Sequence, residues 1–302
     1  MKLFAQSGVA LAAALIASSA LADVSFDANI ETNTTKVSKK KLDSGGRVEI
    51  NANAALVKNG DNYVNAKGTL EVPLTGDKMG IADAWIQLGN KTLDLKYGRF
   101  EATDLFPLGK DTVLQTASTA ISGYRANTLR GRFTSGQAHA AVGVNAAEGL
   151  RFELGIVTEQ DASTSPATNS GVRPVVTYSA GALTLRLGME SITSSAAGAK
   201  RQTGSAISVG YAINSSTSLN VNVANNSDTD ASSTGLNMTA GDFGAGYVQD
   251  KNGKAKQNTL YAAYSFPLLG IKGANITPAI SHSKADGVKN VNAVRVRMNY
   301  AF

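Results

Sequence analysis

Few side chains in this sequence could do covalent or redox chemistry. His139 and His282 are its two histidines, they stand too far apart to suggest a metal site, and cysteine is absent. No Ser/His/Asp set has a recognisable local context, and no glycine-rich phosphate loop occurs. The stretch "DTDASS" at 228–233 is acidic like a calcium loop, but it lacks the spaced ligands and the closing Glu. No enzyme activity, cofactor or metal is therefore expected. Charge at alternate positions is what remains. In "NAVRVRMNYAF", Arg295 and Arg297 alternate with Val294, Val296, Met298 and Tyr300. Arg47 and Glu49 flank Val48 in the same way, and Lys67, Glu71, Asp94, Lys96, Arg186 and Glu190 fall on comparable alternations. Fixed charges on one side of a ribbon line a wet passage, where they bias ions and orient dipolar solutes.

Such a lining needs elements whose side chains alternate between two faces. Period-2 patterning runs through the chain: Val24, Phe26, Ala28, Ile30; Leu183, Leu185, Leu187, Met189; Leu219, Val221, Val223; Leu260, Ala262, Tyr264, Phe266. The apolar faces are rich in Ala, Gly and Thr, which would make a thin core for a soluble sandwich but are tolerable to acyl chains. Residues 1–22 read as a secretory signal peptide: Lys2, an apolar stretch from Val9 to Ile16, and Ala20-Leu21-Ala22 as the cleavage signature. Setting Lys2 aside leaves 28 of the 29 basic residues against 23 acidic ones. These are dispersed over strands, which argues against a nucleic-acid partner. Short turns such as 58–61, 89–91, 145–149, 179–181 and 214–217 alternate with longer polar connections at 33–46, 102–123, 159–171 and 191–202. That layout predicts an all-β transmembrane antiparallel β-barrel over 23–302, with both termini at one end. Sixteen strands are expected, the fifth at 92–101 and the sixth a long one at 124–145, bulged near Ser135-Gly136. Fusing the short pair 234–240 and 243–250 would give fourteen.

The stretch "GIADAWIQLGNKTLDLKYGRF" resembles the general bacterial porins of Gram-negative outer membranes, through Trp85, Leu88, Gly89, Gly98 and Arg99. The resemblance implies that "EATDLFPLGKDT", which follows, occupies the place of a third loop that folds into the lumen. It implies a homotrimer, and it makes Phe302 the recognition signal for the barrel-assembly machinery. The family's usual "PEFGG"-like stretch is replaced here by "DLFPLGKD".

The pore-lining candidates are Arg47, Lys67, Lys96, Glu101, Asp104, Asp111, Arg125, Arg130, Arg132, Arg186, Arg295 and Arg297. Arg125, Arg130 and Arg132 either face the acidic loop residues Glu101, Asp104 and Asp111 across a constriction or sit at the outer rim on lipopolysaccharide phosphates. "KVSKKK" at 36–41 reads as a solvated external loop that bridges surface phosphates. Trp85, Tyr97, Phe100 and Phe106 serve either as a sugar-sliding strip or as interface aromatics. The expected function is passive diffusion of small hydrophilic solutes and ions, with weak anion preference; a substrate-directed oligosaccharide porin is the alternative. Expected partners are outer-membrane lipids and lipopolysaccharide.

Overall fold

A computed structural model describes residues 23–302 except 77, 111, 113, 115–120, 133–136, 160–168 and 196, and the side chains of 137, 138, 159 and 169 are likewise outside it. The leader expected at 1–22, Asp111 and the bulge expected near Ser135-Gly136 lie outside the described residues. The strands are β1 (Asp23–Val37), β2 (Leu42–Asn59), β3 (Asn62–Pro73), β4 (Gly80–Gly89), β5 (Leu93–Arg99), β6 (Gln137–Ala147), β7 (Leu150–Glu159), β8 (Asn169–Ala180) and β9 (Leu183–Ser194). They continue as β10 (Gln202–Ala212), β11 (Thr217–Asn226), β12 (Ala231–Ala240), β13 (Phe243–Asn252), β14 (Ala255–Tyr264), β15 (Phe266–Pro267), β16 (Ala274–Ala285) and β17 (Val291–Ala301).

Successive strands pair antiparallel, except that β14 and β15 both pair with β16, and β17 pairs back onto β1, with Ile30 opposite Tyr300 and Val37 opposite Ala293. The sheet therefore has no edge. β14 and β15 pair with the same strand, Ala263 opposite Ala279 and Phe266 opposite Ile276. They are one strand interrupted at Ser265, so the barrel has sixteen strands. Closure matters because an unpaired amide in hydrocarbon costs several kcal/mol.

Side-chain alternation sorts the residues as the periodicity requires. On β17, Val294, Val296, Met298 and Tyr300 are exposed, while Arg295 and Arg297 are half-buried on the other face. Leu187, Val221, Leu236, Leu260 and Ile280 continue the exposed apolar surface. The interior side buries Ser208, Asn222, Asn237, Gln257 and Thr259. This inversion of the soluble rule belongs to a barrel whose outside meets lipid. Exposed aromatics gather at the end that carries both termini: Phe26, Phe152, Tyr178, Tyr211, Tyr264, Phe266, Tyr300 and Phe302. That end also has the tight hairpins, such as the one at Gly149, whose φ of 70° suits glycine in a two-residue turn.

The observed elements depart from expectation in two places, and a third bears the expected count out. The connection expected at 33–46 shrinks to a turn at 38–41, because β1 runs on to Val37 and β2 starts at Leu42. Its polar-polar sequence marks a strand end with water on both faces, not a loop. The expected strand at 124–145 begins only at Gln137, and 124–132 is not a strand. The fourteen-strand alternative falls, since β12 and β13 are separate ten-residue strands in full register.

Leu260 lies mid-strand on the apolar exterior and is 57% exposed. Leu260→Arg is expected to cost about 2–4 kcal/mol, as charges do at mid-depth on the lipid face of a barrel. Urea unfolding of the barrel in lipid vesicles measures this, and Asn299→Arg, at a half-buried inner-face position of β17, gives the comparison.

Candidate functional site

The segment between β5 and β6 crosses the inner face of the wall. Thr103 donates to Glu153 on β7 from its amide (3.1 Å) and from its hydroxyl (3.0 Å). The carbonyl of Pro107 accepts from Asn222 Nδ2 on β11 (2.7 Å) and Asn237 Nδ2 on β12 (2.8 Å). The carbonyl of Leu108 accepts from the Tyr261 hydroxyl on β14, and that of Thr112 from Arg295 Nη1 on β17 (2.7 Å). The return leg comes back along β13, β9 and β8 to β4. Arg125 meets Asp250 at 3.3 Å and Arg132 meets Asp83 at 3.2 Å.

One buried knot holds the return leg. Glu190, fully buried on β9, accepts from the Tyr124 hydroxyl (2.7 Å), Thr128 N (3.1 Å) and Leu129 N (2.6 Å). Arg173 on β8, also buried, lies 3.3 Å from Glu190 and donates to the carbonyl of Ala126 and to Asn127 Oδ1. Burial, reinforced by the Glu190 carboxylate, raises the Tyr124 phenol above its ordinary pKa, so it stays a donor. Removing one member of such a buried pair costs about 3–5 kcal/mol, which is what fixes this segment in place.

Glycines on the inward positions of the wall make room for it. A Cβ at Gly204 on β10 would collide with the Tyr124 ring, and one at Gly188 on β9 with the Leu105 side chain. Around these contacts Leu105, Phe106, Tyr124, Ala126 and Leu129 form a dry core with Val157, Val175, Ile192 and Val248 of the wall. Sequence reasoning missed this anchorage. Its available signal was glycine where the alternation calls for an inward side chain, in strands that otherwise show no break.

The other candidates distribute as follows. Arg47 on β2 pairs with Glu71 (2.9 Å) and Glu49 (3.3 Å). Lys67 on β3 pairs with Asp83 at 3.1 Å. Lys96 on β5 lies over the Trp85 ring, 3.9 Å from its centroid. Arg297 pairs with Glu31 (3.4 Å) and donates to Asn33 (2.9 Å), while Arg295 donates to Thr35 as well as to Thr112. Arg186 projects inward, half-buried, and makes no ion pair among the described residues. Arg130 pairs with Glu101 (3.1 Å) and lies 3.8 Å from Asp104, both on its own segment. Arg125, Arg130 and Arg132 are thus on the segment's return leg and not on the strand expected there. Burial opposes the charge on Arg132, but Asp83 and Glu101 beside it prevail and hold its pKa above the ordinary value. Asp104 is folded into the segment, accepting from Asn127 Nδ2 at 2.8 Å.

The aromatic cluster splits. Tyr97 is exposed on the outer face, and Phe100 and Phe106 are buried, Phe100 stacked on His139 with centroids 4.0 Å apart. Of the four, Trp85 alone is half-buried on the inner face. Phe302 closes the barrel by exchanging backbone bonds with Ala28, at 2.8 and 3.0 Å.

This architecture has solved counterparts, and the sequence has a matching family. A family model described as porin-like glycoporin RafY matches residues 10–265. The chain belongs to this porin-like glycoporin family. Among solved structures, a mutant of Rh. blastica porin superposes with a TM-score of 0.67 at 14% identity, over 93% of this chain and 100% of that one. A Rhodopseudomonas blastica porin triple mutant gives 0.63 at 12% identity, again over 93% and 100%. No curated protein sequence matches the chain. Family and closed barrel together mean a channel protein of an outer membrane.

The knot and the glycine grooves make the inner segment of this porin a fixture. Gly204→Val is expected to unseat Tyr124, leaving the barrel folded but raising mean single-channel conductance and its fluctuation. Planar-bilayer recordings of the two proteins check this; identical current traces would refute it.

Proposed function

We propose that this porin passes small hydrophilic solutes and ions passively through a water-filled lumen, with weak anion preference. Charge pairing carries the reading. The inner-face and loop carboxylates Asp27, Glu31, Glu49, Glu71, Asp83, Asp94, Glu101, Asp104, Glu153, Glu190 and Asp250 each have a cationic or hydrogen-bonding partner. Lys96, Lys110 and Arg186 have no carboxylate within 4.0 Å among the described residues. Asp27 and Glu153 are held by neutral donors only and keep their charge, so the unpaired cations outnumber the unpaired carboxylates by a small margin, and the net positive field this leaves attracts anions. The segment between β5 and β6 covers the wall of β7–β14, whose inner face is mostly Ser, Thr, Asn and Gly. The free cross-section then adjoins β1–β5 and β17, where Arg47, Lys67, Lys96, Arg295 and Arg297 stand. Narrowing by that segment sets the size limit.

A second reading is supported by the glycoporin description of the family and by Trp85, a half-buried aromatic on the inner face. In it an oligosaccharide stacks on the indole while neighbouring charges hold its hydroxyls. Tyr97, Phe100 and Phe106 have no part in this, being outward or buried. We also infer export by cleavage after Ala22 in a Gram-negative cell, insertion guided by Phe302, and a homotrimer; the leader-like pattern of 1–22 and the porin resemblance support these.

Reversal potentials in a salt gradient test the first reading. The wild type should favour anions, and R186E combined with K110E should shift it toward cations, as should R295E with R297E. Cation selectivity in the wild type would sink the proposal. For the second reading, oligosaccharides should block current in a dose-dependent way, and Trp85→Ala should weaken the block about tenfold, the worth of one to two stacking contacts; a panel of sugars without any block removes it.

A further inference from the structure

Lys96 on β5 is held differently from the other cations of the free wall. Arg47, Lys67 and Arg297 each meet a carboxylate, and Arg295 donates to Thr35 and Thr112. The Lys96 ammonium lies on two aromatic rings instead, 3.9 Å from the Trp85 centroid and 4.7 Å from that of Phe100. Among the described residues it has no carboxylate within 4.0 Å and no hydrogen-bond acceptor. The acids around it are engaged elsewhere: Asp83 with Lys67 and Arg132, Asp94 with Arg151, and Glu153 with Thr103. The ammonium is not sealed off, and it keeps contact with solvent on the inner face.

The indole beneath it is a positioned platform. Trp85 stands on the inner face of β4, opposite Lys67 on β3 and Gly98 on β5. Gly98 has no side chain to stand over the ring, and its φ of 127° keeps the position for glycine. Phe100, Ala102 and Ala141 pack against the indole. Two residues along β4 on the same face, Gln87 donates to Asp94 (3.0 Å) and reaches the Tyr63 hydroxyl (3.5 Å), which places polar groups beside the platform. What holds Lys96 over the indole is the ring quadrupole, an attraction that any better anionic partner can replace.

We infer that Trp85 and Lys96 form a binding site for ring carboxylates: solutes with a flat, weakly hydrated ring face and one carboxylate on it, as in a hexuronate or an aromatic acid. The carboxylate takes the ammonium and draws it off the indole, and the ring face takes its place there. Both exchanges need the same ligand. A small inorganic anion would gain the ammonium and leave the indole bare. A neutral sugar would have to displace the ammonium without offering it a partner. The inference rests on the reading above that places a solute on Trp85, and it names the class of that solute.

Trp85 is the chain's one tryptophan, so its intrinsic emission reports on this site alone. The full chain, refolded in neutral detergent, is titrated with benzoate and with digalacturonate. Emission should change saturably with at least one of them, and the tighter of the two tells an aromatic-acid site from a sugar-acid site. Benzamide and the methyl ester of digalacturonate, neutral with the same rings, should bind about tenfold more weakly, as losing one charge-assisted contact implies. Acetate, which has no ring, should bind more weakly than either acid. K96Q should lose affinity for the acids by the same factor and K96R should restore it, whereas K67Q, which removes a cation already held by Asp83, should bind as the wild type does. In planar bilayers the tighter acid should block wild-type current more strongly than that of K96Q. Equal affinity for acid and neutral ring, for ring acid and acetate, or for K96Q and wild type overturns the inference and leaves a solute on Trp85 standing. Emission unchanged by every ring, acidic or neutral, removes the solute from Trp85 and both readings with it.

Discussion

Hydrocarbon offers no partner to a peptide group, and the structure depends on that constraint first. A sheet in lipid must bond its last strand to its first, so β17 lies on β1 and Phe302 reaches Ala28. Once the ring is closed, alternation does the sorting without further instruction. Each strand needs only apolar residues on its outer parity, and the inner parity is released from the demand for a hydrophobic core. That release lets Ser208, Asn222, Gln257 and Thr259 be buried, and it lets charge accumulate inside without cost to folding.

The same release creates a second problem. A wall lined with small polar residues does not by itself hold a polypeptide laid across it. Here the hold combines three interactions of different kinds. Backbone carbonyls of Pro107, Leu108 and Thr112 satisfy donors from four wall strands. Inward glycines at 188 and 204 let Leu105 and Tyr124 approach the wall backbone. Arg173 and Glu190, each a costly buried charge alone, complete one another; Glu190 accepts from the amides of Thr128 and Leu129, and Arg173 donates to the carbonyl of Ala126. The inside of the barrel thus contains a small soluble-type core of its own.

The barrel was legible because its signal is repeated sixteen times, and one fault in the pattern does not spoil the rest. Arg295 and Arg297 could be assigned to a face from Val294, Val296 and Met298 alone. The return leg at 124–132 was not legible. Tyr124 and Ala126 look like outward positions of a strand, since apolar residues at alternate places serve a lipid face and an internal core equally well. Local sequence cannot separate those two fates; only the glycines on distant strands carry the difference. Arg125, Arg130 and Arg132 followed that error onto a strand, although their partners Asp250, Glu101 and Asp83 are acids the sequence already displayed. The split of Trp85 from Tyr97 shows the converse: parity counted from Ile86 and Leu88 decides it, where residue type alone suggested an undivided cluster.

The aromatic ring at the terminus-bearing end and the lysines near the loop-bearing end (Lys36, Lys251, Lys256 and Lys284) are two moorings of different physics. Indole-free rings settle at an interface by shape and polarity, which dissolved ions scarcely alter, whereas ammonium groups are held by fields that fade within about 8 Å at physiological ionic strength. Rings of this kind fix depth in a membrane firmly, and ammonium groups fix it adjustably. In a bilayer, a change of thickness or of salt would then be taken up at the loop-bearing rim before the hairpin rim.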